Sequence, residues 1–93
     1  MAHEASFIVT DTMDVSLGFL AVAVTPALPE LPPGSSLSIV VTKPTGSVLD
    51  ARCMLEYTKR PPFKPALLMF AGLSKVDIPL GSKLAIVEAS RLG

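Results

Sequence analysis

Positions 56–64 bring together a carboxylate, two aromatic rings and three cations: Glu56, Tyr57, Lys59, Arg60, Phe63 and Lys64. Lysine and arginine grip phosphate oxygens, and aromatic faces stack on bases or riboses. This constellation therefore suits the recognition of a nucleotide-containing end, with Glu56 and Lys59 as an acceptor and a donor beside it. The plainer structural reading is a solvated loop. In it the Lys and Arg stems lie over apolar surface, Phe63 plugs the end of the fold, and Glu56 is an exposed residue at a strand end.

Other chemistry-bearing residues are scattered. Asp11 and Asp14 invite reading as an acid pair. Paired catalytic carboxylates need a cleft and opposed environments, and strand-end or turn acids fit this spacing as well. The single cysteine, Cys53, falls in mid-strand with no histidine near it in sequence, which predicts a buried structural thiol. It excludes an internal disulfide framework and any multi-cysteine metal site, and fits a reducing compartment. His3 is the sole histidine and lies in the N-terminal tail, where it is neither a triad base nor half of a histidine metal site. No Gly-x-x-x-x-Gly-Lys-Ser/Thr run occurs, so a phosphate loop is absent. Eight Lys plus Arg balance eight Asp plus Glu, which disfavours wholesale nucleic-acid binding. The expectation is no enzyme, no cofactor and no metal.

The elements that must position these residues are short. Nine prolines and six glycines punctuate a chain of 93 residues that is 49% hydrophobic and 17% charged, enough for one core and one domain. Between the breaks lie runs rich in Val, Ile, Leu and Thr, which is strand composition. Strands are predicted over 6–10 (continuing through 15), 18–25, 37–42, 48–58, 66–71 and 83–88. In the fourth, Asp50, Arg52, Glu56 and Thr58 share one parity and form a wet face, with Cys53, Leu55 and Tyr57 on the other. Met13, Met54 and Met69 are expected as core filler. Proline-rich connections cover 26–35 and 59–65, residues 75–78 make one helical turn stopped by Pro79, and residues 1–4 and 89–93 are expected to fray. No window sustains helical periodicity, so the fold class is all-β, a six-stranded closed β-barrel with an ordered core over about 6–88. Aromatic residues are few, leaving small aliphatic side chains to fill a narrow interior.

Two runs, 17–24 and 39–41, are almost continuously apolar. A barrel wall with one wet face has polar residues at alternate positions. Their scarcity implies that an outer face is covered, either by a second copy of the chain or by the proline-rich connection 26–33.

The closing segment, Leu68-Met69-Phe70-Ala71-Gly72-Leu73-Ser74-Lys75-Val76-Asp77-Ile78-Pro79-Leu80-Gly81-Ser82-Lys83-Leu84, carries glycines and an isoleucine at ungapped spacing (Gly72, Ile78, Gly81). That spacing resembles the pattern Leu-Leu-x-x-Gly-Ile-x-x-x-x-Ile-x-x-Gly-x-Val-Leu of the second, β-barrel domain of elongation factor Tu and other translational GTPases. The run from Leu31 to Leu37 is similar to the turn before that family's third strand, and positions 8–22, with Asp11, to its first two strands. The resemblance spans 6–87. It implies a translation-factor domain-two barrel in which Gly72 lets the chain leave the wall, a turn with Val76 and Ile78 caps the open end, and Gly81 re-enters. In elongation factor Tu this domain helps hold the aminoacylated end of tRNA through a Glu followed by a basic or aromatic pair. The matching stretch is Glu56-Tyr57-Thr58-Lys59, with Thr58 where His or Phe is usual and Lys59 where Arg is usual.

The function expected from these readings is a non-enzymatic, stand-alone binding module that meets a protein partner or a nucleotide-containing end at positions 56–64. A structural protein that homodimerises through its apolar strands is the second expectation, and RNA or tRNA-end binding the third. The opening Met-Ala-His-Glu-Ala-Ser has no basic region followed by an apolar run, and no apolar run is long enough to span a bilayer. The expected setting is cytoplasmic, with no membrane contact.

Overall fold

The computed structural model describes residues 6–15, 18–32 and 34–90. Six strands, β1 (Ser6–Val15), β2 (Phe19–Thr25), β3 (Ser36–Thr42), β4 (Val48–Tyr57), β5 (Pro65–Ala71) and β6 (Lys83–Ser90), close into a barrel in the order β1-β2-β5-β4-β3-β6. Every adjacent pair is antiparallel. The all-β, six-stranded closed barrel expected from the sequence is the fold found. Closure gives every strand two neighbours, which limits the exposed strand edges that template aggregation. One boundary expectation is corrected: Ala89 and Ser90 do not fray but extend β6, pairing with Leu37 and Ser36. The rest of the expected fraying ends, and His3, lie outside the described residues.

The interior is built from alternation. Along β3, Leu37, Ile39 and Val41 are buried while their neighbours are half-buried. Leu20, Val22, Leu68, Phe70 and Leu84 join them, so branched aliphatics with Phe7 and Phe70 make up the core. The ends are closed by connections. Leu28, from the proline-rich segment between β2 and β3, enters the core, and Leu31 packs against it.

In β1 the alternation changes phase. Phe7 and Val9 are buried and Ile8 is exposed. The pairing with β2 then slips by one residue between Val9 and Asp11. This β-bulge reverses the parity of the rest of the strand. Beyond it, Thr12 and Asp14 stand opposite the inward-facing Val22 and Leu20, while Met13 and Val15 stand opposite Ala21 and Phe19.

The segment between β5 and β6 departs from expectation in one respect. Its turn is closed by amides of Asp77 and Ile78 donating to the Ser74 carbonyl at 2.9 and 3.2 Å, and the Asp77 carboxylate accepts from the Ser74 amide at 2.8 Å. Ile78 is fully buried, but Val76 is 79% exposed and caps nothing. Residues two apart in a single turn point to nearly opposite sides, so only one of the two can reach the core. Gly72 and Gly81 both sit at positive φ, 75° and 85°. The Gly81 amide donates to the Val9 carbonyl at 3.0 Å, and the Val9 amide donates to the Ser82 carbonyl at 2.9 Å. A Cβ on Gly81 would meet only Pro44 Cγ, at 3.7 Å, so space is available and the backbone conformation alone excludes a side chain. Gly81→Ala is therefore expected to destabilise the barrel by about 1–2 kcal/mol, lowering the melting temperature by roughly 4–8 °C for each kcal/mol. Thermal unfolding followed by circular dichroism checks this, and an unchanged midpoint would contradict it.

Candidate functional site

The six residues predicted as a site do not form one cluster. Their positions follow from strand parity. Tyr57 shares the inward parity of Cys53 and Leu55, is half-buried against the core, and donates its hydroxyl proton to the Leu31 carbonyl. That bond anchors the ring at the barrel end, where it also lines two grooves on the outer wall. Glu56 points the other way, onto the outer wall, opposite Leu67 of β5. Lys59, Arg60, Phe63 and Lys64 are exposed in the following loop. Phe63, at 63% exposure, does not plug the barrel as the plainer reading expected; Leu28 and Leu31 occupy the interior instead.

That loop is organised by Thr58. Its amide donates to the Lys64 carbonyl at 2.9 Å, and its Oγ1 accepts from the Lys64 amide at 3.1 Å. The same hydroxyl lies 3.1 Å from the Pro62 carbonyl and 3.2 Å from that of Arg60. Internal bonds between backbone and one side chain thus fix the loop, leaving its three cations and Phe63 facing solvent.

A different set of residues is brought together on the outer wall. Met13 stands opposite Ala21, Ala21 opposite Met69, and Met69 opposite Met54, so one row crosses β1, β2, β5 and β4. Val15, Phe19 and Ala71 form the row on one side of it, and Leu67 with Glu56 lies on the other. Met13 is 56% and Met54 44% exposed, which corrects their assignment as core filler; Met69 is half-buried on the same outer face. Ala21 is only 4% exposed because the long side chains around it cover it. Two grooves open on this face. One, of about 430 Å³, runs between Phe19, Met54, Met69 and Tyr57. The other, of about 350 Å³, is lined by Met13, Val15, Leu67 and Lys59, and Met69 and Glu56 are walls of both. Glu56 and Lys59 therefore meet on one groove, as their pairing in sequence suggested, but its floor is apolar.

Part of this face was accessible to sequence reasoning. Met54 has the parity of Arg52 and Glu56, which were correctly placed outward. Met13 could be placed only with knowledge of the bulge.

The remaining candidates separate. Asp11 faces outward opposite Ala23, and Asp14 lies opposite the inward-facing Leu20, so the two carboxylates are on opposite faces and cannot work as a pair. Cys53 is buried, as expected, and burial pushes its thiol up from 9.0 to about 12. Among the described residues no group of three His, Cys, Asp or Glu side chains is placed to hold a metal ion, and no helix is long and apolar enough to cross a membrane. Comparison with protein-family models, with curated proteins and with solved structures gives no match.

Two measurements test this geometry. Tyr57→Phe removes the bond to the Leu31 carbonyl and is expected to destabilise by about 1 kcal/mol, seen as a lower denaturant midpoint with an unchanged slope. For Cys53, the folded chain holds its proton to higher pH than the unfolded chain. Its contribution is complete below pH 9.0 and is lost as pH rises toward about 12. Wild type should lose stability across that window faster than Cys53→Ala, by at most about 1.4 kcal/mol per pH unit. Parallel curves for the two proteins would contradict the burial of the thiol.

Proposed function

We propose that this chain is a non-enzymatic interaction module that binds a protein partner on the outer wall of β1, β2, β5 and β4. The observation that carries this reading is the methionine row, Met13, Ala21, Met69 and Met54, which crosses the outer face of four strands with Met13 and Met54 exposed at its two ends and is flanked by Phe19 and Leu67. Contiguous apolar surface with a polar rim is the signature of an interaction site. Methionine suits it, because its flexible, polarisable side chain adapts to the shape of what it meets. Arg52, Glu56 and Lys59 supply charge at the margin for orientation. A non-catalytic role is supported by the separation of Asp11 from Asp14 and by a thiol held protonated in the core.

The reading of this barrel as a domain-two relative of the translational GTPases belongs to the same proposal. It is supported by the six-stranded closed topology, by the buried Ile78, and by positive φ at both Gly72 and Gly81. In elongation factor Tu the corresponding domain helps hold the aminoacylated end of tRNA, a binding role that accords with an interaction module.

A photo-reactive benzophenone side chain at position 54 tests the proposal in cells expressing the chain. Protein adducts are expected at position 54 and not at Thr45, which is exposed in the β3–β4 turn. Equal yields at the two positions would overturn it, as would esterase, phosphatase or nuclease turnover abolished by changing Asp11 or Glu56.

A second reading, RNA-end binding, is favoured by the four solvent-facing side chains of Lys59, Arg60, Phe63 and Lys64. Titration with single-stranded CCA-ended RNA at low salt decides it. Binding that is unaffected by Met54→Glu but lost on removing the three cations would replace the protein-partner reading.

A further inference from the structure

The outer side chains of β4 read Val48, Asp50, Arg52, Met54 and Glu56, and the last three form a triplet with the methionine at its midpoint. Run antiparallel against itself, that triplet places arginine over glutamate, methionine over methionine, and glutamate over arginine. We infer that the occupant of the outer face is a second copy of this chain, related by a two-fold axis lying along the methionine row. The inference rests on the interaction-face reading above and names its partner.

The neighbouring strands support the same axis. β2 presents Phe19, Ala21 and Ala23 outward, and β5 presents Leu67, Met69 and Ala71. Phe19, Ala71 and Arg52 lie on one side of the methionine row and line one cleft. Ala23 and Leu67 lie on the other side with Asp11 and line another. Rotation about the row sets each side over its opposite. Phe19 of one copy then meets Ala23 of the second, Leu67 meets Ala71, and Arg52 meets Glu56. Large side chains face small ones and opposite charges face each other, each contact occurring twice, as an isologous interface requires. At the margin the axis sets Asp11 against Val15 of the second copy. There the Asp11 carboxylate already accepts the Thr12 amide at 2.9 Å. The barrel is convex, so the contact is a stripe centred on β2, β5 and β4, at the small end of the range for specific interfaces.

The symmetry makes a prediction that no other occupant shares. Wild type should show dimer mass by sedimentation at about 100 µM, in keeping with a small interface, and should dissociate on dilution or in high salt. Arg52→Glu and Glu56→Arg each set like charges together twice and should raise the dimer dissociation constant about tenfold. An equimolar mixture of the two variants restores both pairs, and native mass spectrometry should find the heterodimer formed at about the wild-type affinity. Arg52 and Glu56 are exposed, so circular dichroism should show both variants folded. A wild-type monomer at all concentrations, a dimer indifferent to both reversals, or variants that do not prefer each other would each overturn the inference. The benzophenone experiment separates this failure from failure of the interaction-face reading. Adducts at position 54 with another protein leave the face in use by a different partner, whereas no adduct at position 54 removes both.

Discussion

Closure of this barrel depends on β1 serving two neighbours in turn. It pairs with β6 only over Ser6, Phe7 and Ile8, and with β2 from Ile8 to Val15. At the handover Val9 gives its amide to Ser82 and accepts from Gly81, so the turn before β6 continues the ladder where the strand itself stops. Those two bonds require Gly81 at positive φ. They also require the bulge that swings the rest of β1 toward β2. Without this handover, β1 would lie along one neighbour, and the barrel would open into a curved sheet with exposed edges.

The same bulge creates the outer surface. A slip of one residue moves every later side chain to the other face. Before it, Phe7 and Val9 point into the core; after it, Met13 and Val15 point outward and Thr12 and Asp14 take the inward parity. The row continues through Ala21 and Met69 to Met54 because the registers of β2, β5 and β4 align there. A feature that closes the barrel thus also adds β1 to an apolar face across four strands.

Most of the fold was legible because its punctuation is strong. Prolines and glycines at short intervals bound runs of β-branched residues, and the strands follow those bounds to within two residues. Parity along β4 was also legible for its charged residues, Asp50, Arg52 and Glu56, although Met54, which shares their parity, was expected in the core. What escaped depends on contacts distant in sequence. The phase change in β1 follows from pairing with β2 and from the turn at Gly81, far along the chain. The commitment of Tyr57 depends on a carbonyl 26 residues earlier, which no local pattern announces. Val76 and Ile78 look equivalent in composition, and only the direction of the turn separates them.

These long-range contacts redistribute the chemistry of positions 56–64. As a linear motif, the stretch suggests one pocket with a carboxylate, two rings and three cations. In the folded chain, Tyr57 bonds to Leu31 at the barrel end, Arg60, Phe63 and Lys64 are exposed in the loop and line neither groove, and Lys59 shares an apolar-floored groove on the outer wall with Glu56, Tyr57 and Met69. A carboxylate in that position is poorly matched to a nucleotide phosphate, which carries like charge. It is well matched to an arginine brought in by another protein surface. Its nearest outward neighbour along β4 is a methionine, and the next is Arg52, so charge and apolar contact alternate along the strand. The residue that matches the Glu of the elongation factor Tu pattern therefore lies, on this barrel, at the rim of an apolar outer face.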